Sequence, residues 1–336
     1  MECQIGRQLR KLTGLHQELL NYKRECRMDK EERNVIINTR EEIIELTQEW
    51  KGERLEDGRP KVPDVYLDKL RTMTLEEIWL PLYVKGYHFQ YEGGMKHLHN
   101  EKKLVGRAVT CTFMPIRPDL ANVVRNQGEE KGWEGFFNQW VVDNLGNGDV
   151  VVADMFDKVY NGTFVGGNLT TAIRVKTGNG GAVIWGGIRD IEQMKKIDTQ
   201  VFYRGIDPTP IRECVLTDLN GACRIGSAVC LPGDIVMGTE SGLLFIPSHL
   251  VEDVINSAEK THAKDIFGFE MLEKGIYTTA AIDNSVWNLE MMERLIDFVE
   301  KDDRCKKYRG LDWSLELGAA KGDPKCLEEV LKTCLV

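Results

Sequence analysis

Two short motifs near the middle of the chain carry residues that could bind an acidic substrate. The first is Gly166-Gly167-Asn168-Leu169, placed where a loop enters a predicted helix. The N–H groups of Leu169 and Thr170 are expected to point outward without partners, and such groups at a helix start bind carboxylates. The alternative is that Asn168 only caps the helix and the glycines only turn the chain.

The second motif, Gly186-Gly187-Ile188-Arg189-Asp190, follows a predicted buried strand. Ligands of open α/β sheets bind beyond the carboxyl ends of strands. Arg189 offers a planar fork of donors for a carboxylate or carbonyl oxygen, and Asp190 offers a hard oxygen ligand for Mg²⁺ or Mn²⁺. The alternative is that Asp190 caps a helix and Arg189 is a surface cation. One helix and one strand separate the motifs, which predicts that both return to the same rim of the sheet.

The elements around the motifs predict a layered α/β domain, because strands and helices alternate along this part of the chain. An unbroken apolar run from Val150 to Ala153 is typical of a strand covered on both faces. Capping boxes at Thr39 and Thr74 predict helix starts. Asn220-Gly221 predicts a hairpin turn. The other predicted elements are helices at Trp133 to Asn144, Leu169 to Lys176 and from Asp190, strands at Leu104 to Phe113, Ala182 to Trp185, Asp234 to Met237 and Gly242 to Ile246, and a turn at Gly186-Gly187.

Both ends of the chain are predicted to be helical extensions of this core. Two amphipathic helices are expected between Gln8 and Trp50, followed by a charged linker from Lys51 to Pro63. Three helices are expected after the last strand, at Pro247 to Leu272, Ser285 to Glu300 and Pro324 to Cys334. The predicted division is an N-terminal helical extension at residues 1–63, a catalytic core at 64–275 and a C-terminal helical extension at 276–336.

The composition of the 336-residue chain excludes several classes of function. Its net charge of −9 comes without a Lys/Arg-rich block, which argues against a nucleic-acid partner. No apolar run approaches the roughly 20 residues that span a bilayer, and the N-terminus does not resemble a signal peptide, so a cytoplasmic protein is expected. The nine cysteines are scattered without a Cys-x-x-Cys pair, which predicts reduced packing thiols rather than a zinc site.

Five ordered pieces of the sequence between Leu104 and Pro247 resemble the RraA-like family, which includes the 4-hydroxy-4-methyl-2-oxoglutarate aldolases. Together they are far more specific than any single motif. The pieces are Leu104-Val105-Gly106-Arg107-Ala108-Val109-Thr110, Gly148-Asp149-Val150-Val151-Val152-Ala153-Asp154, Gly166-Gly167-Asn168-Leu169, Gly186-Gly187-Ile188-Arg189-Asp190, and Pro232-Gly233-Asp234 with Ser241-Gly242-Leu243-Leu244-Phe245-Ile246-Pro247.

The resemblance implies an αββα layered core that assembles as a homotrimer or homohexamer with active sites at subunit interfaces. In the family's aldolases the aspartate at the position of Asp190 binds the divalent metal, and the arginine at Arg189 contacts the keto acid. The amides at Leu169 and Thr170, in the turn of Gly167 and Asn168, would hold the substrate carboxylate. An acidic residue of a neighbouring subunit supports the metal waters, and we place it at Asp265, with Glu270 as the alternative.

The function that the resemblance implies is that of a class II, metal-dependent lyase. It would perform retro-aldol cleavage or decarboxylation of a small 2-oxo acid through a pyruvate enolate, with Mg²⁺ or Mn²⁺ as cofactor. One alternative is a non-catalytic regulator that binds another protein, and another is a lyase or hydratase for a larger sugar acid. The sequence departs from the aldolases at Asn168, where they commonly carry an acid, and in the insertions from Pro115 to Asn147 and from Phe156 to Val165.

Overall fold

The computed structural model describes residues 38–333, and the first of the two predicted N-terminal helices lies outside this range. The strands are β1 (Tyr91–Glu92), β2 (Lys96–His97), β3 (Leu104–Pro115), β4 (Asp149–Asp154), β5 (Thr163–Val165), β6 (Gly181–Ile188), β7 (Gln200–Ile206), β8 (Cys214–Leu219), β9 (Cys223–Ile225), β10 (Ala228–Cys230), β11 (Ile235–Thr239) and β12 (Gly242–Ile246). The helices are α1 (Arg40–Leu46), α2 (Asp64–Thr72), α3 (Leu75–Val84), α4 (Pro118–Glu130), α5 (Phe137–Asp143), α6 (Gly167–Thr177), α7 (Ile191–Met194), α8 (Val251–Glu273), α9 (Thr279–Ile282), α10 (Leu289–Lys301), α11 (Ser314–Ala320) and α12 (Pro324–Lys332), with 3₁₀ turns at Ser248–Leu250 and Asp303–Tyr308.

A ten-stranded mixed sheet forms the centre of the molecule. Its order is β1-β12-β11-β3-β4-β6-β7-β2, with β5 beside β6 and β8 beside β3. Strands β3, β4, β6 and β7 run parallel to one another, and β5 is parallel to β6. Strand β11 pairs with β3, and β2 with β7, in antiparallel orientation. The predicted α/β class is confirmed.

Both faces of the central strand β4 are buried, as its unbroken apolar run predicts. Val151 and Ala153 pack in the cluster that includes helices α4, α5 and α6. Val150 and Val152 point the other way and pack beneath the small β9–β10 hairpin. A third cluster joins β11 and β12 to helices α2, α3 and α8. The sheet is therefore rigid where the two motifs leave it.

Helices flank the core at both ends, as expected. Helix α1 begins at the predicted capping box of Thr39 and buries Ile43. Just before it, the Asn38 amide donates to Asp218 Oδ1 at 2.6 Å. The capping box of Thr74 likewise begins α3. Helices α10 and α11 pack with the C-terminal part of α8 in a separate cluster around Phe267, so the C-terminal extension has a small core of its own.

Three local predictions were wrong. Gly186 and Gly187 lie inside β6 and form no turn, although the register of β6 against β7 shifts between Ile184 and Gly187. The glycine at 186 serves close packing, since a Cβ there would approach Met155 Cβ within 2.6 Å. The turn at Asn220 exists, with φ of 60°, but β8 pairs with β3 and β9 with β10, so it joins no hairpin. The helix expected from Trp133 begins only at Phe137, and α4 precedes it without having been predicted.

Candidate functional site

The two motifs lie side by side because β5 and β6 are neighbouring parallel strands. Val165 at the end of β5 pairs with Ile188 at the end of β6, and the Arg189 N–H donates to the Val165 carbonyl at 3.0 Å. The residues that follow each strand therefore emerge at the same rim of the sheet. The prediction that both motifs share one rim is confirmed.

Asp190 adopts a left-handed backbone conformation that turns its carboxylate toward the first motif. Its φ and ψ are 57° and 37°, a region that few residues other than glycine, asparagine and aspartate enter. The N–H groups of Gln193 and Met194 both donate to the Asp190 carbonyl at 2.9 Å and fix this turn. Asp190 Oδ2 accepts the Gly167 N–H at 3.2 Å and lies 3.8 Å from Arg189 Nε. Asp190 therefore does not cap its own helix α7 with its side chain; it faces the start of α6.

Gly166 is required by this close approach. A Cβ at position 166 would lie 2.3 Å from Asp190 Oδ2 and 3.0 Å from Arg189 Cγ. Gly167 is crowded in the same way, since its Cβ would lie 2.6 Å from the Gln193 side-chain oxygen. Gly166 thus allows Asp190 to reach the helix start, and Gly167 leaves room for the Gln193 side chain.

Helix α6 begins at Gly167, two residues earlier than predicted, and this changes which amides are available. The Thr170 N–H donates to the Gly166 carbonyl at 3.0 Å, so the prediction that it is unpaired was wrong. Among residues 38–333 no acceptor bonds the N–H groups of Asn168 and Leu169. Asn168 lies inside the first turn with an exposed side chain and does not cap the helix. The amides at this helix start that remain free to bind a ligand are therefore those of Asn168 and Leu169.

A cavity of about 340 Å³ opens where these groups meet, a size within the range of small-ligand sites. Asn168, Leu169, Arg189 and Asp190 all line it, whereas Gly167 supports it through its bond to Asp190. Arg189 is 41% and Asp190 36% exposed through their side chains, so a ligand can reach both. The remaining lining residues are Phe136, Asn138, Gln139, Thr163, Phe164, Val165, Gly166, Gln193, Pro210 and Ile211.

The sequence did not reveal that residues of the insertion from Pro115 to Asn147 line the cavity. Asn138 is only 4% exposed, and its Nδ2 donates to the Phe164 carbonyl at 2.6 Å. Its Oδ1 is buried and accepts no hydrogen bond from residues 38–333. Asn138 and its neighbours belong to the insertion from Pro115 to Asn147, and no local pattern links that segment to the two motifs.

The donor set fits a hard divalent cation held through one protein carboxylate. Asp190 Oδ1 takes no hydrogen bond within the described range, and the amide side chains of Asn168 and Gln193 line the same cavity. No group of three or more His, Cys, Asp or Glu residues gathers in residues 38–333. Mg²⁺ commonly binds proteins through one or two carboxylates and keeps several waters, so such a sparse set is sufficient.

Asp265 lies in α8, outside the lining of this cavity. It is half-buried, and burial followed by the neighbouring Glu77 carboxylate raises its pKa. Its alternative, Glu270, pairs with Lys274 at 2.5 Å and with Arg304, and these contacts lower the pKa of Glu270. A single chain does not test a residue donated to a neighbouring subunit, and this role of Asp265 stays a prediction.

Residues 38–333 contain six cysteines, all of them free thiols. Five of the six are buried, in agreement with a packing role. Within residues 38–333 no helix is long and apolar enough to cross a membrane.

Comparison with curated proteins finds relatives that share part of the chain. The chain is 28% identical over 118 residues to a Halalkalibacterium halodurans protein named "Putative 4-hydroxy-4-methyl-2-oxoglutarate aldolase", covering 35% of this chain and 55% of that one. It is 27% identical over 171 residues to protein DlpA of Legionella pneumophila, covering 49% of this chain and 25% of the relative. The matched segments thus span about half or less of these two proteins.

Solved structures share the fold. RraAS2 of Streptomyces coelicolor, an unusual member of the RNase ES inhibitor RraA protein family, superposes with a TM-score of 0.53 at 22% identity, covering 62% of this chain and 97% of that one. An uncharacterized Pseudomonas syringae protein gives 0.54 at 19% identity, covering 69% and 98%. The family model described as RraA-like, Aldolase/RraA, matches residues 72–245, just over half of the chain. The chain therefore belongs to the RraA-like family.

Proposed function

We propose that the protein is a divalent-metal-dependent carbon–carbon lyase that cleaves or decarboxylates a small 2-oxo acid. One observation carries the proposal: Arg189, Asp190 and the free amides of Asn168 and Leu169 converge on one cavity at the ends of two parallel strands. A 2-oxo acid presents a carboxylate and an adjacent carbonyl oxygen, and the site offers separate donors for each. The aldolase name of the Halalkalibacterium relative agrees with this class of reaction.

The start of α6 would bind the substrate carboxylate. Its first free N–H groups, on Asn168 and Leu169, carry the positive end of the dipole of an 11-residue helix. Arg189 would direct its guanidinium at the keto oxygen, where negative charge develops as the adjacent bond breaks. The backbones that carry both groups are positioned by the neighbouring strands β5 and β6, which places the donors near the substrate before the charge appears.

Asp190 would hold Mg²⁺ or Mn²⁺, which when bound acts as a Lewis acid toward the keto oxygen and stabilises enolate charge. The Asp190 carboxylate keeps Oδ1 available, while the Gly167 N–H anchors Oδ2. No lysine lines the cavity in the described part of the chain, so the residues present do not provide a Schiff base there.

In retro-aldol cleavage the proton of the substrate's 4-hydroxyl group leaves and the C3–C4 bond breaks. Its electron pair passes into the pyruvate enolate, and C3 then takes a proton, giving pyruvate and a carbonyl product. Asn168 occupies a position that is commonly acidic in the aldolases and does not itself accept a proton. Proton transfer would therefore pass through water, supported by Asp265 of a neighbouring subunit in a homotrimer or homohexamer.

The test is pyruvate release from a panel of 2-oxo acids, including oxaloacetate, with the background decay in metal solution subtracted. We expect turnover that is lost in excess chelator and restored by Mg²⁺ or Mn²⁺, because Asp190 is a hard ligand. Full turnover in chelator would overturn the metal dependence. If no 2-oxo acid releases pyruvate and the protein binds another protein tightly, the lyase hypothesis is overturned in favour of a non-catalytic regulator.

A further inference from the structure

The cavity is larger than a pyruvate unit requires. A water-sized group occupies about 30 Å³, so a cavity of about 340 Å³ holds on the order of eleven such groups. Pyruvate has only about six non-hydrogen atoms, and roughly half of the space is left for the rest of the substrate. The walls of that remaining space determine which substrates fit.

The cavity lining outside the two motifs is mainly apolar. Phe136 stands before α5 with 65% of its surface exposed, and Ile211 contributes a side chain that is 7% exposed. Pro210 adds a further apolar surface from the loop after β7. Phe136, Pro210 and Ile211 together give this part of the cavity an apolar lining that suits an apolar ligand group.

The same lining is unsuited to a second carboxylate. Among residues 38–333, Arg189 is the only cationic side chain that lines the cavity, and the carboxylate and keto group of the substrate already engage it and the α6 amides. Asn138 also lines the cavity, but its Nδ2 donates to the Phe164 carbonyl and its Oδ1 is buried, so this side chain adds no cation for a distal carboxylate.

We infer that the substrate is a 2-oxo monocarboxylic acid whose arm beyond C3 is uncharged and largely apolar, and that Phe136 selects this arm. The inference rests on the proposed function for its keto-acid end. Such a substrate differs from a 2-oxo dicarboxylic acid in the charge of its distal end. The insertion from Pro115 to Asn147, which contains Phe136, discriminates between these two classes of substrate.

Binding of two unreactive analogues tests the inference without requiring turnover. Calorimetric titration in Mg²⁺ would compare 2-oxo-4-phenylbutanoate, which has an apolar arm, with 2-oxoglutarate, which has a carboxylate. We expect the phenyl analogue to bind at least about tenfold more tightly, the lower end of the discrimination that a small apolar contact provides. Tighter or equal binding of 2-oxoglutarate would overturn the inference, as would failure of both analogues to bind.

Variants of the exposed Phe136 locate the selectivity. Phe136→Ala should weaken binding of the phenyl analogue about tenfold and leave pyruvate binding unchanged. Phe136→Arg adds a cation to the wall and should shift the preference toward 2-oxoglutarate. Phe89→Ala is the matched control, since Phe89 is 67% exposed and lies outside the cavity. An equal loss for pyruvate and the phenyl analogue in Phe136→Ala would show that Phe136 does not select the arm.

Pyruvate release separates this inference from the proposed function. The assay compares 4-hydroxy-2-oxo-4-phenylbutanoate with 4-hydroxy-2-oxoglutarate as cleavable substrates. If the phenyl analogue binds preferentially but neither compound releases pyruvate, the proposed lyase activity is overturned and the inferred ligand class is supported. If pyruvate is released faster from the dicarboxylate and 2-oxoglutarate binds more tightly than the phenyl analogue, the lyase activity is supported and the inferred ligand class is overturned.

Discussion

Two acidic residues that the resemblance assigns to metal chemistry occupy opposite kinds of environment. Asp190 follows a strand and faces a cavity, with its side chain 36% exposed and a backbone N–H as its hydrogen-bond donor. Asp265 lies in the long helix α8, beside Glu77, His262 and Lys264. His262 Nδ1 and Glu77 Oε1 are 2.6 Å apart, and Glu77 is only 8% exposed.

The two regions differ in whether their carboxylates can reach a ligand or are packed between helices. At the strand ends a carboxylate remains accessible because the backbone turns it outward into an open cavity. Between α3 and α8 the carboxylates are enclosed by helices that join the core to the C-terminal extension. Substitutions at the first place should change turnover. At the second place we expect Glu77 to affect only the free energy of unfolding, and Asp265 to affect turnover through the site of a neighbouring subunit.

The largest effect is expected from Asp190→Asn. The amide keeps the volume but removes the charge that would hold the cation, so turnover should fall on the order of a thousandfold. Metal affinity, measured by calorimetric titration, should fall with it, while the unfolding midpoint changes little because the side chain is partly exposed. An Asp190→Asn variant that retains wild-type oxaloacetate turnover would refute the metal role.

Arg189→Lys should lower turnover on the order of a hundredfold, comparable to the loss of one preorganised donor to a developing oxyanion. Lysine keeps the charge but lacks the planar fork that Arg189 presents. Metal titration should give the wild-type affinity, in contrast with Asp190→Asn. Equal loss of metal affinity in both variants would mean that the two residues act as one structural unit.

Asp265→Asn tests whether the second region contributes to the site of a neighbouring subunit. Loss of an outer-shell partner typically costs about 10- to 100-fold, and we expect turnover to fall within that range. Glu270→Gln is the comparison, since Glu270 already pairs with Lys274 and Arg304, and turnover should not change. The opposite pattern would assign the supporting acid to Glu270.

The stability of Asp265→Asn relative to wild type should increase as pH rises. Burial raises the folded-state pKa of Asp265 above its unfolded value. Its contribution to stability is therefore fully present below the unfolded pKa of about 4 and is lost as pH rises through the folded pKa. Urea unfolding should show the variant gaining on wild type as pH rises above about 4. A constant difference in the free energy of unfolding between variant and wild type across that range would mean that the folded and unfolded pKa values of Asp265 are equal.

The smallest effect is expected from Glu77→Ala, confined to stability. Glu77 Oε2 accepts the Thr74 N–H at 2.8 Å and Glu77 Oε1 contacts His262, so both partners lose their bonds. We expect a loss of about 1–2 kcal/mol in the free energy of unfolding, measured by urea titration, with turnover unchanged. Glu76→Ala, on the exposed side of the same turn, is the control and should be neutral. A comparable loss of turnover would place this region in the catalytic machinery.

The sequence by itself determined several of the elements and the two motifs. Capping boxes at Thr39 and Thr74 and the buried strand at Val150 to Ala153 were predictable because each depends on neighbours within a few residues. The alternation of strands and helices was sufficient to predict that Gly166 and Arg189 return to one rim. Local hydrogen bonding and hydrophobic periodicity carry all of this information.

Only the tertiary structure decided which groups face the cavity. The start of α6 at Gly167 depends on the approach of Asp190, which no local pattern reveals, and it removes the Thr170 amide from the site. Asn138 becomes a cavity residue through a hydrogen bond to Phe164, 26 positions away in the chain. Contacts over such separations depend on how sheets and helices pack, and that packing is fixed by the fold as a whole.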